Sequence, residues 1–170
     1  MPHQIILEME QKEISIYEVI PLLREVLNLS GFAKVIGKST SWINNKESRT
    51  QFLERMEPGF TEDNVELVNY GLDKVIESCG KHKLHLPSSC PNREIYNTYV
   101  KTELKDLRKL VSMVYLRENY TSITKSSFDK KLINAANRGT VAQFTEDDIQ
   151  QINYGIDKIS ELLSSLKITL

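Results

Sequence analysis

The sequence predicts an all-α protein built from two tandem, duplicated helical units, with a helix-turn-helix-like segment in the first. Three observations lead there. FTEDNVELVNYGLDK (Phe60 to Lys74) recurs as FTEDDIQQINYGIDK (Phe144 to Lys158), with nine identities in fifteen positions at an offset of eighty-four. Apolar residues recur at helical spacing along both copies. Only Gln4 to Leu7 reads as a strand, and a short one. The expected units are residues 1–80 and 92–170, joined by a linker at 81–91. Each holds roughly 80 residues, and an apolar fraction of 40% gives each enough material for a core.

The first helix of unit one is expected near Tyr17 to Asn28. Pro21 either interrupts it or starts it. Leu23, Arg24 and Val26 align with Leu107, Arg108 and Leu110 at the same offset, so this helix is expected in unit two as well. There it reads longer, from about Asn92 to Arg117, with Tyr96, Val100, Leu104, Leu107, Val111 and Val114 at helical spacing. The last helix of each unit starts at a Thr N-cap, Thr61 or Thr145, followed by acidic residues that meet the positive end of the helix dipole. Phe60 and Phe144 precede the caps, placed to staple onto Val65 and Ile149. Gly71 and Gly155 lie inside these helices, where glycine costs about 1 kcal/mol. The expected compensation is the close approach of another backbone or a large ring, with Tyr70 and Tyr154 beside them as half-buried rims. The join, GKHKLHLPSSCPN, carries the glycine, prolines and serines that stop one helix and start the next.

Between the first and last helices of unit one lies FAKVIGKSTSWINNKE, from Phe32 to Glu47. Ala33, Gly37 and Ile43 give A-x3-G-x5-I, which resembles a helix-turn-helix. Each residue has a mechanical reason to be there: a small residue at the crossing, a positive φ in the turn, an apolar pin under the second helix. That resemblance implies a recognition helix from Ser39, and duplex DNA as a partner. The candidate DNA-binding residues are Lys38, Ser39, Thr40, Ser41, Asn44, Asn45, Lys46 and Arg49. Asparagine can bond bidentately to adenine, hydroxyls suit phosphates or base edges, and the lysines with Arg49 and Arg55 outnumber Glu47 and Glu54. Lys38 and Lys46 occupy places that a helix-turn-helix usually gives to apolar residues. Unit two, NYTSITKSSFDKKLINAANRG, has no glycine or alanine at the corresponding places, but keeps Lys125, Ser126, Ser127 and Phe128.

GKSTSWI followed by an F-T-E-D helix is also similar to a family of small uncharacterised all-helical proteins from Bacteroidetes, which carry one GKS-x-SW-[LI] segment and one FT-x-E helix. The chain resembles a fused pair of them. The resemblance implies a bacterial protein with an all-helical fold, and it brings no activity.

Plainer readings stand beside these. Trp42 and Phe128 read first as core anchors, the Ser/Thr run as an N-cap cluster, and the basic stretches as solvated faces. Cys79, His82, His85 and Cys90 are all zinc-capable ligand types, but C-x2-H-x2-H-x4-C matches no common zinc spacing. An ordinary linker is the favoured reading, and no metal or cofactor is expected. Two cysteines in a chain with no export signal read as reduced thiols and a cytoplasmic protein. A net charge of −1 argues against indiscriminate polyanion binding. Gly37-Lys38-Ser39 lacks the rest of a phosphate loop, and no nucleophile or metalloprotease motif occurs, so the chain reads as a non-enzyme. Two functions stay open: DNA binding through unit one, or a helical protein-interaction or self-assembly module around Trp42 and Phe128. Neither involves a membrane.

Overall fold

The computed structural model describes residues 11–48, 59–133, 136–137 and 140–170. The fold is mostly helical, as the periodicity predicts. In the first half run α1 (Ile16–Val26), α2 (Leu29–Val35), α3 (Thr40–Ser48) and α4 (Glu62–Lys81). In the second run α5 (Arg93–Leu107), α6 (Met113–Tyr120), α7 (Lys125–Ile133) and α8 (Glu146–Ser164). The four lengths, 11, 7, 9 and 20 residues, are answered by 15, 8, 9 and 19.

Among the described residues, four short strands add to the expected elements. β1 (Lys12–Ser15) pairs in parallel with β4 (Leu166–Thr169), Lys12 opposite Leu166 and Ser15 opposite Thr169. β2 (Ala136–Asn137) and β3 (Thr140–Val141) form a small antiparallel pair. No local pattern marks β1 and β4, because each exists only through its distant partner. The strand expected at Gln4 to Leu7 lies outside the described residues.

Pro21 lies within α1 and does not break it. The lost N–H is offset by five side chains, Ile16, Val19, Ile20, Leu23 and Val26, that are wholly buried. The single helix expected from Asn92 to Arg117 is instead two helices, α5 and α6. The break is a tertiary event. The Asn28 N–H donates to the Leu110 carbonyl and the Ser112 N–H to the Val26 carbonyl, both at 2.9 Å, around a bridge between Leu27 and Val111. Each of these pairs exchanges residues eighty-four positions apart, so the contact is reciprocal. Ser112 then caps α6 by accepting from the Tyr115 N–H.

The repeated helices start as expected. Thr61 and Asn64 bond each other's backbone N–H groups, as do Thr145 and Asp148. Phe60, Phe144, Val65 and Ile149 are buried. A Cβ added at Gly71 would stand 2.5 Å from Ile36 Cγ2 and 2.7 Å from Phe32 Cε2. At Gly155 it would stand 2.9 Å from Tyr120 Cβ and 3.2 Å from Leu116 Cγ. Phe32 and Leu116, like Ile36 and Tyr120, are related by the same offset, so each glycine admits the corresponding helix of its own half. Tyr70 and Tyr154 are more exposed than rims, at 51% and 55%. Lys74 and Lys158, one turn on, lie over their rings. α4 and α8 pack along one another, and one continuous apolar core runs through both halves. Among the described residues no helix is long and apolar enough to cross a membrane.

Candidate nucleic-acid interface

α2, a tight turn and α3 form the segment that carries the candidate residues. Asn28 caps α2, accepting from the Gly31 N–H. Phe32 and Ala33 turn inward and are buried. The helix stops at Ile36, where the Gly37 N–H donates to the Lys34 carbonyl and the Lys38 N–H to the Ala33 carbonyl. This double closure requires a left-handed residue after the cap, and Gly37 supplies it with φ of +68°. Ser39 opens α3 by accepting from the Trp42 N–H at 3.1 Å, and Ile43 pins the helix to the core.

The other side of α3 faces water. Lys38, Ser39, Ser41, Asn44 and Asn45 are exposed, while Thr40 and Lys46 are half-buried. Arg49 and Arg55, with Glu54, lie outside the described residues. Trp42 is half-buried, edge-on to Phe60 at 6.1 Å. Lys38 and Lys46 stand over its ring at 5.2 and 5.9 Å. The two lysines in apolar places therefore cover the tryptophan with their charges, and Lys46 also donates to the Gly59 carbonyl. Lys34 is directed elsewhere: it lines a cleft between the halves that also holds His82 and Lys109.

One residue was missed from sequence. Arg24, on α1, donates to Asn44 Oδ1 at 2.7 Å and pairs with Glu47. This clasp holds α3 against α1 and occupies one acceptor of a candidate reading residue. Contacts across 20 and 23 positions between two helices leave no spacing signal.

In the second half, Thr124 caps α7, accepting from the Ser127 N–H. Counting from the caps Ser39 and Thr124 places α7 eighty-five positions after α3, so the connection before it is one residue longer. In that register Phe128 falls where Ile43 does, and both are buried. Phe128 also takes the ring contact that Trp42 makes, edge-on to Phe144 at 5.6 Å. One side chain fills two roles.

The cysteine and histidine set is dispersed. Cys79 is buried in α4, and burial, with a smaller contribution from Asp157, pushes its thiol up to about 11. His82 Nδ1 lies 2.7 Å from the Glu103 carboxylate, the His85 ring stacks on Tyr99, and the Cys90 thiol donates to the Asn92 carbonyl. Among the described residues no group of three or more His, Cys, Asp or Glu is arranged to hold a metal.

Residues 100–170 match the family model described as a domain of unknown function, DUF5053. The match runs from within α5 through β4, whereas the GKS-x-SW resemblance is carried by the first half. No curated protein and no solved structure matches the chain.

Proposed function

We propose that the protein is a bacterial, cytoplasmic DNA-binding protein, built by tandem duplication of one four-helix unit, in which α3 reads duplex DNA. The observation that carries this reading is the α2–α3 geometry: a glycine turn, a buried pin at Ile43, and Ser41, Asn44 and Asn45 projecting on the exposed side. The duplication is supported by the reciprocal bonds about Leu27 and Val111, which two copies of one chain would exchange across a two-fold axis.

The roles divide among the candidates. Asn45 and Ser41 are the base-edge contacts, Lys38 the phosphate contact, and Asn44 is oriented by Arg24. In the cap register Asp129 and Lys130 replace Asn44 and Asn45, and a carboxylate at that place repels phosphate. The protein therefore reads a single half-site. The test is fluorescence anisotropy with random and selected duplexes. Asn45→Ala is expected to cost about 1–3 kcal/mol on the preferred sequence and little on others. Lys38→Ala is expected to weaken all duplexes alike and lower the salt slope by about one. Sequence preference unchanged in Asn45→Ala would overturn the assignment.

A second reading, protein interaction, is favoured by one observation, the exposed apolar end of α7 at Ile133.

A further inference from the structure

Among the described residues the clasp between α1 and α3 has no counterpart in the second half. Arg24 corresponds to Arg108 at the offset of eighty-four. In the cap register Asn44 corresponds to Asp129 and Glu47 to Leu132, so the carboxylate that closes the first half is replaced by a leucine. Among the described residues no ion pair forms at Arg108, Lys105 or Asp129. In place of the clasp lies an open trough of about 640 Å³ between α5 and α7. Its floor is Leu104, Met113, Phe128 and Leu132, and the apolar surface continues outward to Ile133, which is 71% exposed. Its rim carries Lys105, near the end of α5, and Arg108, the residue that caps it, with Asp129 of α7 also on the lining.

We propose that this trough docks an amphipathic helix of a partner protein whose apolar face is flanked by Glu or Asp. The argument is charge complementarity together with the closed first half. An acidic side chain from the partner would give Arg108 what Glu47 gives Arg24, while leucine-sized side chains at i, i+3 or i+4, and i+7 fill the floor. Lys105 and Arg108 fall three positions apart on one side of the C-terminal end of α5, so their charges flank the path of a second helix laid beside it. An open trough that runs out onto exposed Ile133 suits a helix better than a lipid chain, which is usually enclosed. The proposal concerns the second half alone and stands or falls independently of DNA reading by α3.

The experiment is fluorescence anisotropy of the whole chain with two labelled helical peptides of about sixteen residues, alike in a leucine stripe and differing in Glu or Lys flanks. The Glu-flanked peptide is expected to bind at least about ten times more tightly than the Lys-flanked one, and less so as salt rises. Ile133→Glu, an exposed substitution, is expected to weaken it about tenfold or more, as is Leu132→Glu, which restores the acidic partner of the arginine in cis. Asn45→Ala is expected to leave it unchanged. Equal binding of the two peptides, or unaltered binding in Ile133→Glu with an unchanged melting curve, overturns the proposal. Two further results also overturn it. One is self-association of the chain, seen by sedimentation and abolished by Ile133→Glu, which assigns the trough to a second copy. The other is binding of phosphatidylglycerol vesicles, lost in Ile133→Glu, with no peptide binding, which assigns it to lipid.

Discussion

α3 and α7 are nine-residue helices at matching places in the order of elements, yet one is clasped to its neighbour and the other stands off it. The difference rests on Glu47 against Leu132, together with the extra residue that sets α7 one position out of step. Glu47 neutralises the arginine of the first half within the chain, whereas Leu132 leaves Arg108 beside Lys105, which stands where the first half has Pro21. The first half keeps a polar outer face on a closed joint; the second keeps an apolar joint open. Similar helices can carry different surfaces because the core positions beneath them, Ile43 and Phe128, are buried in both.

The comparison breaks most severely at the place where the halves meet. Gly31, in α2, corresponds to Tyr115 in α6, and the two could not be exchanged. A Cβ at Gly31 would stand 1.6 Å from the Lys109 carbonyl oxygen, and that backbone is tied to the α1–α2 junction through the Leu110–Asn28 and Ser112–Val26 bonds. Gly31→Ala is expected to cost about 3 kcal/mol or more in urea denaturation. A loss under about 1 kcal/mol would mean that the crossing between the halves is slack.

The paired glycines sharpen it. Gly71→Ala forces Ile36 and Phe32 aside, whereas Gly155→Ala meets less crowded atoms of Tyr120 and Leu116. Against a helix-propensity gain of about 1 kcal/mol for alanine, the first is expected to destabilise by about 1–2 kcal/mol and the second by about 1 kcal/mol or less. Thermal unfolding of the two variants side by side checks the order, and a reversal would mean that α6 packs harder on α8 than α2 on α4.

The smallest change is the most informative. Glu47→Leu gives the first half the residue found at Leu132 and removes a partly exposed ion pair, so it is expected to cost only about 0.5 kcal/mol. It should also let the first half bind the Glu-flanked peptide, seen as a second site by titration calorimetry. Stoichiometry unchanged at one peptide would show that the clasp is not what closes that joint.

Much of this architecture could be read from the chain, and for a common reason. Caps, staples, the turn glycine and the buried faces are set by side chains within about four residues of the backbone groups they serve. Thr61 and Thr145, Gly37 and Ile43 all fall in this class. What escaped depends on distant partners. The break between α5 and α6 answers to the α1–α2 junction, β1 to β4, and Arg24 to α3. Spacing within a segment is blind to all three. The candidate interface was half legible: the exposed polar ridge follows from helical periodicity, but the arginine that engages Asn44 does not. The shift in register between α3 and α7 escaped for another reason, since the run Lys125 to Phe128 resembles Lys38 to Trp42 more closely than the capping frame does.

The parallel pairing of β1 with β4 has a consequence for how the protein is made. Its register joins residues about 154 positions apart, as the Lys167–Glu13 ion pair across it shows. During translation Ile14 leaves the ribosome about 154 residues ahead of its partner Ile168, an interval on the order of ten seconds. Throughout that interval Ile14 lacks the strand it pairs with, so the small parallel sheet closes only after the helices between its two strands have been made.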